Sequence, residues 1–235
     1  MSNHVHLVLE VDPQAPAGWT DLEVAQRWLT IFGGGATNDV PLAARTAALA
    51  RDFERINIIR QRLGSLSWFM RALNEPIARR ANHEDGCTGR FWEGRFKCQT
   101  LLDDTALLAC MVYVDLNPAR AGVAESAMRS AHTSARRRVK STNRDRKLVP
   151  LASSIVAHTL EINEIQYLQL LDWTGRSLHR GNRGAIPNSL VDILARISLD
   201  SRQWLVQVPA TESHYWRAVG TAQNLLEHTQ QLSCR

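Results

Sequence analysis

A chain of 235 residues is long enough for one large domain or two small ones, with a real core. Its 44% hydrophobic content is ordinary for a globular protein, and no apolar run reaches the roughly 18 residues of a membrane span. The net charge of +5 is unevenly spread: residues 66–147 carry 15 basic and 9 acidic side chains, which reads either as the footprint of a polyanion partner or as a solvated charged face. The start lacks the basic-then-apolar pattern of a secretory leader. Cys87, Cys98, Cys110 and Cys234 form no C-x-x-C pair, so neither a zinc knuckle nor a disulfide framework is indicated; reduced thiols in a cytoplasm are expected.

In chain order, residues 4–11 (His-Val-His-Leu-Val-Leu-Glu-Val) are apolar and β-branched and predict a buried strand ended by Asp12-Pro13. Thr20-Asp21-Leu22-Glu23 is a capping box that opens a helix running to about Phe32, where Gly33-Gly34-Gly35 stops it. Residues 42–63, rich in Ala, Leu and Arg, predict a second helix; the two together read as an inserted helical pair. Leu66, Phe69, Met70, Leu73 and Ile77 recur at helical spacing, with a kink expected at Pro76 and a polar loop from Asn82 to Gly89. Arg95 to Leu101 reads as a strand with Arg95, Lys97 and Gln99 on one face. Asp103 or Asp104 should cap a helix ending near Asn117, because a residue before proline avoids helical geometry. Arg129 to Lys147 holds eight basic residues and one acid, and predicts a flexible arm. Beyond it, a helix is expected over Asn163–Thr174, stopped by Gly175, and two short helices over 188–208.

Some of these residues carry chemistry. Side chains two apart on a strand face one side, so His4 and His6 would project together and grip one metal ion, with Val5 in the opposite layer. A histidine pair also occurs as plain packing. Tyr113 lies on the helix after Asp103, where a tyrosine is ordinarily a core residue with its hydroxyl at the surface. Ala106, Ala109 and Cys110, on the preceding turns of its face, are small and leave that face shallow enough to admit a backbone. Asn117 follows one turn later on the same stripe; it is placed to complete the metal site, to cap the helix end, or both. No Gly-rich loop followed by Lys-Ser/Thr and no G-x-S-x-G elbow occurs, which argues against nucleotide hydrolysis, a nucleotide cofactor and a serine hydrolase.

Three blocks stand in order: Asn3-His4-Val5-His6-Leu7; Gly89-Arg90-Phe91-Trp92-Glu93-Gly94-Arg95-Phe96-Lys97; and Tyr113-Val114-Asp115-Leu116-Asn117-Pro118-Ala119-Arg120-Ala121-Gly122. Over residues 1–125 the chain resembles the REP-associated tyrosine transposases, a bacterial branch of the HUH single-strand transposases; the tail is similar to the extension of a longer subgroup. The resemblance implies an α+β, ferredoxin-like fold: a central antiparallel sheet with packed helices, the histidine pair on a central strand and the tyrosine on a helix beside it. It implies His4, His6 and Asn117 as ligands of Mg²⁺ or Mn²⁺, and Tyr113 as the nucleophile of DNA transposition. In the family a strand–helix–strand stretch precedes the histidines; here Met1 stands three residues before them, so that stretch is expected to be missing. The expected organisation is a catalytic domain at 1–128 with a helical insertion at 20–63, a basic linker at 129–147 and a helical accessory domain at 148–235.

The implied reaction is cleavage and transfer of single-stranded or hairpin DNA, such as REP-like repeats, through a 5′-phosphotyrosine. Arg95, Lys97, Arg120, Arg136, Arg137, Arg138 and Lys140 are the expected contacts to DNA phosphates. The alternative is a DNA-binding remnant without catalysis. Monomer and homodimer are both compatible with the sequence.

Overall fold

The computed structural model describes residues 4–33, 40–141, 162–180, 188–211 and 218–233. Gly34, Gly35 and residues 142–161 lie outside the described residues. The chain divides into two compact units, one formed by residues 1–8 and 98–235, the other by residues 9–97.

The ferredoxin-like expectation is overturned. The described residues form ten α-helices, and their pairing is a single two-stranded parallel sheet, β1 (Thr100–Leu101) beside β2 (Ala218–Val219). A strand exists only if a neighbour satisfies its backbone amides and carbonyls. Residues 4–11 have an apolar, β-branched sequence, but among the described residues no strand pairs with them and they are not in a sheet. Val5, expected in a buried layer, is 63% exposed. The second expected strand, Arg95–Leu101, shrinks to its last two residues for the same reason, since pairing begins only where Ala218 and Val219 arrive.

In the unit of residues 9–97, α1 (Asp21–Phe32) opens on the expected capping box: Glu23 N–H donates to Thr20 Oγ1 (3.3 Å) and Thr20 N–H donates to Glu23 Oε2 (2.7 Å). The helix expected over 42–63 is two helices, α2 (Leu42–Ala50) and α3 (Phe53–Leu63). Asp52 breaks them by capping α3, accepting from the Arg55 amide at 3.0 Å, as a short acid does better at a cap than inside a helix. Val24, Ala25, Ile56 and Ile59 form this unit's core, between α1 and α3. Arg60 pins the entry to α1 by donating to the Pro16 and Trp19 carbonyls and to Asp21. Gly64 ends α3 where a Cβ would stand 2.6 Å from the Pro13 carbonyl oxygen, so a side chain there has no room. α4 (Leu66–Glu84) runs through Pro76 and buries none of its residues.

In the other unit, Asp103 caps α5 (Asp104–Arg120), accepting from the Ala106 amide at 2.8 Å. α5 does not end at Asn117. Pro118 is accommodated inside it, buried, and helical geometry continues for one more turn; a proline forfeits one backbone bond, and tertiary burial here outweighs that loss. The basic stretch is not a free arm over its described part. A 3₁₀ turn covers Ala127–Arg129, and α6 (Ser134–Val139) follows, capped by Thr133. α7 (Glu164–Arg180) likewise passes through Gly175, where helix ending was expected. A Cβ on Gly175 would lie 2.8 Å from Leu116 Cδ2, so the glycine serves close approach of α7 to α5 rather than termination. α8 (Asn188–Arg196) and α9 (Ser201–Ala210) match the two short helices expected. One core joins α5 to these tail helices, with Leu108, Val112, Tyr167, Leu170, Ile193 and Trp204 at its centre. The chain closes with α10 (Ala222–Ser233).

Candidate active site

Between its first turn and Arg120, helix α5 is largely apolar, and the Asp115 and Asn117 side chains set within that stretch are both buried. Tyr113 and Asn117 are one turn apart and share a stripe; Asp115, two residues from each, points about 200° away around the axis. The helix therefore presents two polar sites on opposite sides.

On the first side, the side chains singled out in the sequence come together. Asn117 Nδ2 donates to the Tyr113 hydroxyl at 3.2 Å and lies 3.3 Å from His6 Nε2, although His6 is 111 residues away in the chain. The His6 ring meets the Tyr113 ring edge to face, with centroids 5.8 Å apart, and the His4 ring meets His6 the same way at 4.8 Å. The guanidinium carbon of Arg120 stands 5.1 Å from the Tyr113 ring centroid. His4 and His6 reach this place on a segment without regular secondary structure.

The spacing of these rings is compatible with one shared divalent ion and equally with plain edge-to-face packing. Two imidazoles bound at about 2.1 Å to one ion, at roughly 90–110°, have centroids about 4.5–5.2 Å apart, which brackets the observed 4.8 Å. Two ligand atoms about 2.1–2.3 Å from one ion lie roughly 3.0–3.4 Å from each other, which covers the 3.3 Å between His6 Nε2 and the end of the Asn117 amide. A half-turn of that amide about its last bond presents oxygen instead of nitrogen. Among the described residues no three histidine, cysteine, aspartate or glutamate side chains cluster for a metal.

One expectation about this face is corrected. The small residues beside Tyr113 do not leave an open shelf. Ala106 and Ala109 are fully buried, and Tyr113 itself is 5% exposed and counts among the core residues. Small side chains on a helix let a neighbour approach closely, and here neighbouring elements have done so. Cys110, on the same face, is pushed up to about pH 11 by burial of its thiol. A thiol reacts through its thiolate. At pH 8 iodoacetamide should therefore alkylate the exposed Cys87 and Cys98 first and Cys110 at least about 100-fold more slowly, as peptide mapping over time would read.

The second side was not foreseen from sequence. Asp115, 2% exposed, accepts from Ser134 Oγ (2.6 Å), the Ala135 amide (3.2 Å), the Tyr167 hydroxyl (2.7 Å) and Arg138 Nη1 (3.4 Å). This one carboxylate ties α5 to the start of α6 and to α7. Burial and the neighbouring Asp115 charge, together with the bond to that carboxylate, raise the Tyr167 phenol well above its ordinary value. The signal available in sequence was a single acid, Asp115, inside an otherwise apolar helical run.

The expected phosphate contacts divide. Arg95 and Lys97 are exposed and belong to the unit of residues 9–97. Arg138 is engaged by Asp115 and lies over the Tyr167 ring at 4.8 Å; Arg136 is half-buried and donates to the Met128 carbonyl at 3.4 Å. Arg120, Arg137 and Lys140 are exposed. No helix among the described residues is long and apolar enough to cross a membrane. No protein-family model, no curated protein and no solved structure matches the chain.

Proposed function

We propose that the chain is a transposase-like enzyme that cuts and rejoins single-stranded or hairpin DNA through Tyr113. The observation that carries this reading is the meeting of His6, Asn117 and the Tyr113 hydroxyl within 3.3 Å contacts, from segments more than a hundred residues apart. His4, His6 and Asn117 are the residues that would hold Mg²⁺ or Mn²⁺, and a metal bound there would polarise a phosphate oxygen. The Tyr113 oxygen bonds to phosphorus while the bond from phosphorus to the 3′-oxygen breaks. The phenolic proton passes to water and the departing 3′-oxygen takes one up, leaving a 5′-phosphotyrosine and a 3′-hydroxyl. Asn117 fixes the hydroxyl's direction. Arg120, Arg137 and Lys140 are the exposed cations for backbone phosphates, so binding falls steeply with salt.

Burial of Tyr113 favours a second reading, DNA binding without cleavage, since a phenol 5% exposed must be uncovered before it attacks. A labelled hairpin oligonucleotide incubated with the protein and Mn²⁺ separates the two. Strand transfer predicts a covalent adduct that survives denaturation and is absent in Tyr113→Phe. Binding that is salt-sensitive, adduct-free and indifferent to Tyr113 would replace it with the second reading.

A further inference from the structure

Helix α5 was expected to stop before Pro118, and its continuation changes the chemistry of the site. Seven residues advance a helix by 700°, which returns Arg120 to within about 20° of Tyr113. Its guanidinium lies over the phenol ring, 5.1 Å from the centroid. Arg120 is exposed while Tyr113 is buried, so the arginine is open to the solvent from which a DNA strand must arrive.

We propose that Arg120 is a catalytic residue rather than one of several backbone anchors: its guanidinium binds the nonbridging oxygens of the scissile phosphate and holds phosphorus against the Tyr113 oxygen. The inference rests on the strand-transfer reading of this same site. A planar guanidinium matches two phosphate oxygens at once, which an ammonium does not. Already resting on the ring, it meets any phosphate that touches the phenol oxygen. Charge gathers on the phosphoryl oxygens as the tyrosine–phosphorus bond forms and the bond to the 3′-oxygen breaks, and a fixed cation stabilises that charge more than it stabilises bound, uncut DNA.

The experiment compares single-turnover adduct formation and equilibrium hairpin binding in wild type, Arg120→Gln, Arg120→Ala and Arg129→Gln. Arg129 is an exposed cation paired with Glu125, and its variant removes the same charge. Arg120→Gln should slow adduct formation by about 10²–10³-fold while weakening binding only severalfold, and Arg129→Gln should leave the rate alone. Millimolar guanidinium chloride should restore part of the Arg120→Ala rate, a rescue that a merely structural arginine does not give. An unchanged rate in Arg120→Gln, or a loss confined to binding affinity, would overturn the inference and leave strand transfer standing. A wild type that forms no adduct would remove both.

Discussion

Asp115→Ala is expected to be the most destabilising single substitution in the helix that carries the site. Removing this carboxylate leaves the Tyr167 hydroxyl, Ser134 Oγ and the Ala135 amide without their acceptor and Arg138 without its counter-charge. Breaking one member of a buried, hydrogen-bonded charge pair costs about 3–5 kcal/mol. In a chain of this size that lowers Tm by about 10 °C. Asp115→Asn should cost less, because the amide oxygen still accepts from Ser134 and Ala135 while its NH₂ faces a hydroxyl and a guanidinium.

The same cluster sets a pH limit. The Tyr167 phenol is raised in the folded state, so the folded chain holds that proton more tightly than the unfolded one. The resulting stability is complete below the unfolded phenol's pH of about 10 and is lost as pH rises from there through the folded value. Tyr167→Phe should flatten this loss between pH 10 and 11 in thermal melts. A melt of Asp115→Ala within two degrees of wild type would show that the cluster does not bind α6 and α7 to α5.

The second large effect concerns His6. It touches both Asn117 and the Tyr113 ring, and the His4 ring packs against it. His6→Ala should therefore lower adduct formation by at least about 100-fold and raise the Mn²⁺ concentration needed for half-maximal rate, while hairpin affinity at fixed salt stays within about twofold. Isothermal titration with Mn²⁺ in the absence of DNA gives an independent reading: binding in wild type, lost in His6→Ala. Equal Mn²⁺ affinity in the two proteins would move the ion elsewhere.

What could be read from the sequence depended on whether the deciding interaction was local. The capping box at Thr20–Glu23, the Asp103 cap and the paired helices near residues 188–210 rest on neighbours within four residues, and each formed as expected. The stripe linking Tyr113 to Asn117 was legible for the same reason, since helical spacing alone fixes it. Strands at 4–11 and 95–101 required partners far along the chain, and the pattern of Val and Leu cannot supply those. Local propensity places helix ends at Pro118 and Gly175, and long-range packing overrides it at both. The Asp115 cluster joins positions 115, 134, 138 and 167, separations that no periodicity reports.

Placing two polar sites back to back on α5 has an evolutionary consequence. The rotational setting of that helix is shared, so drift at either face is answerable to the other. Among divergent versions of this chain, positions 115 and 167 should change together, as acceptor and donor, because either alone strands a buried group. Under the proposed strand transfer, its loss would relax selection at 113 and 120 without touching that couple, and a lineage that kept 115 and 167 while scrambling 113 would be one that retained the fold without that chemistry.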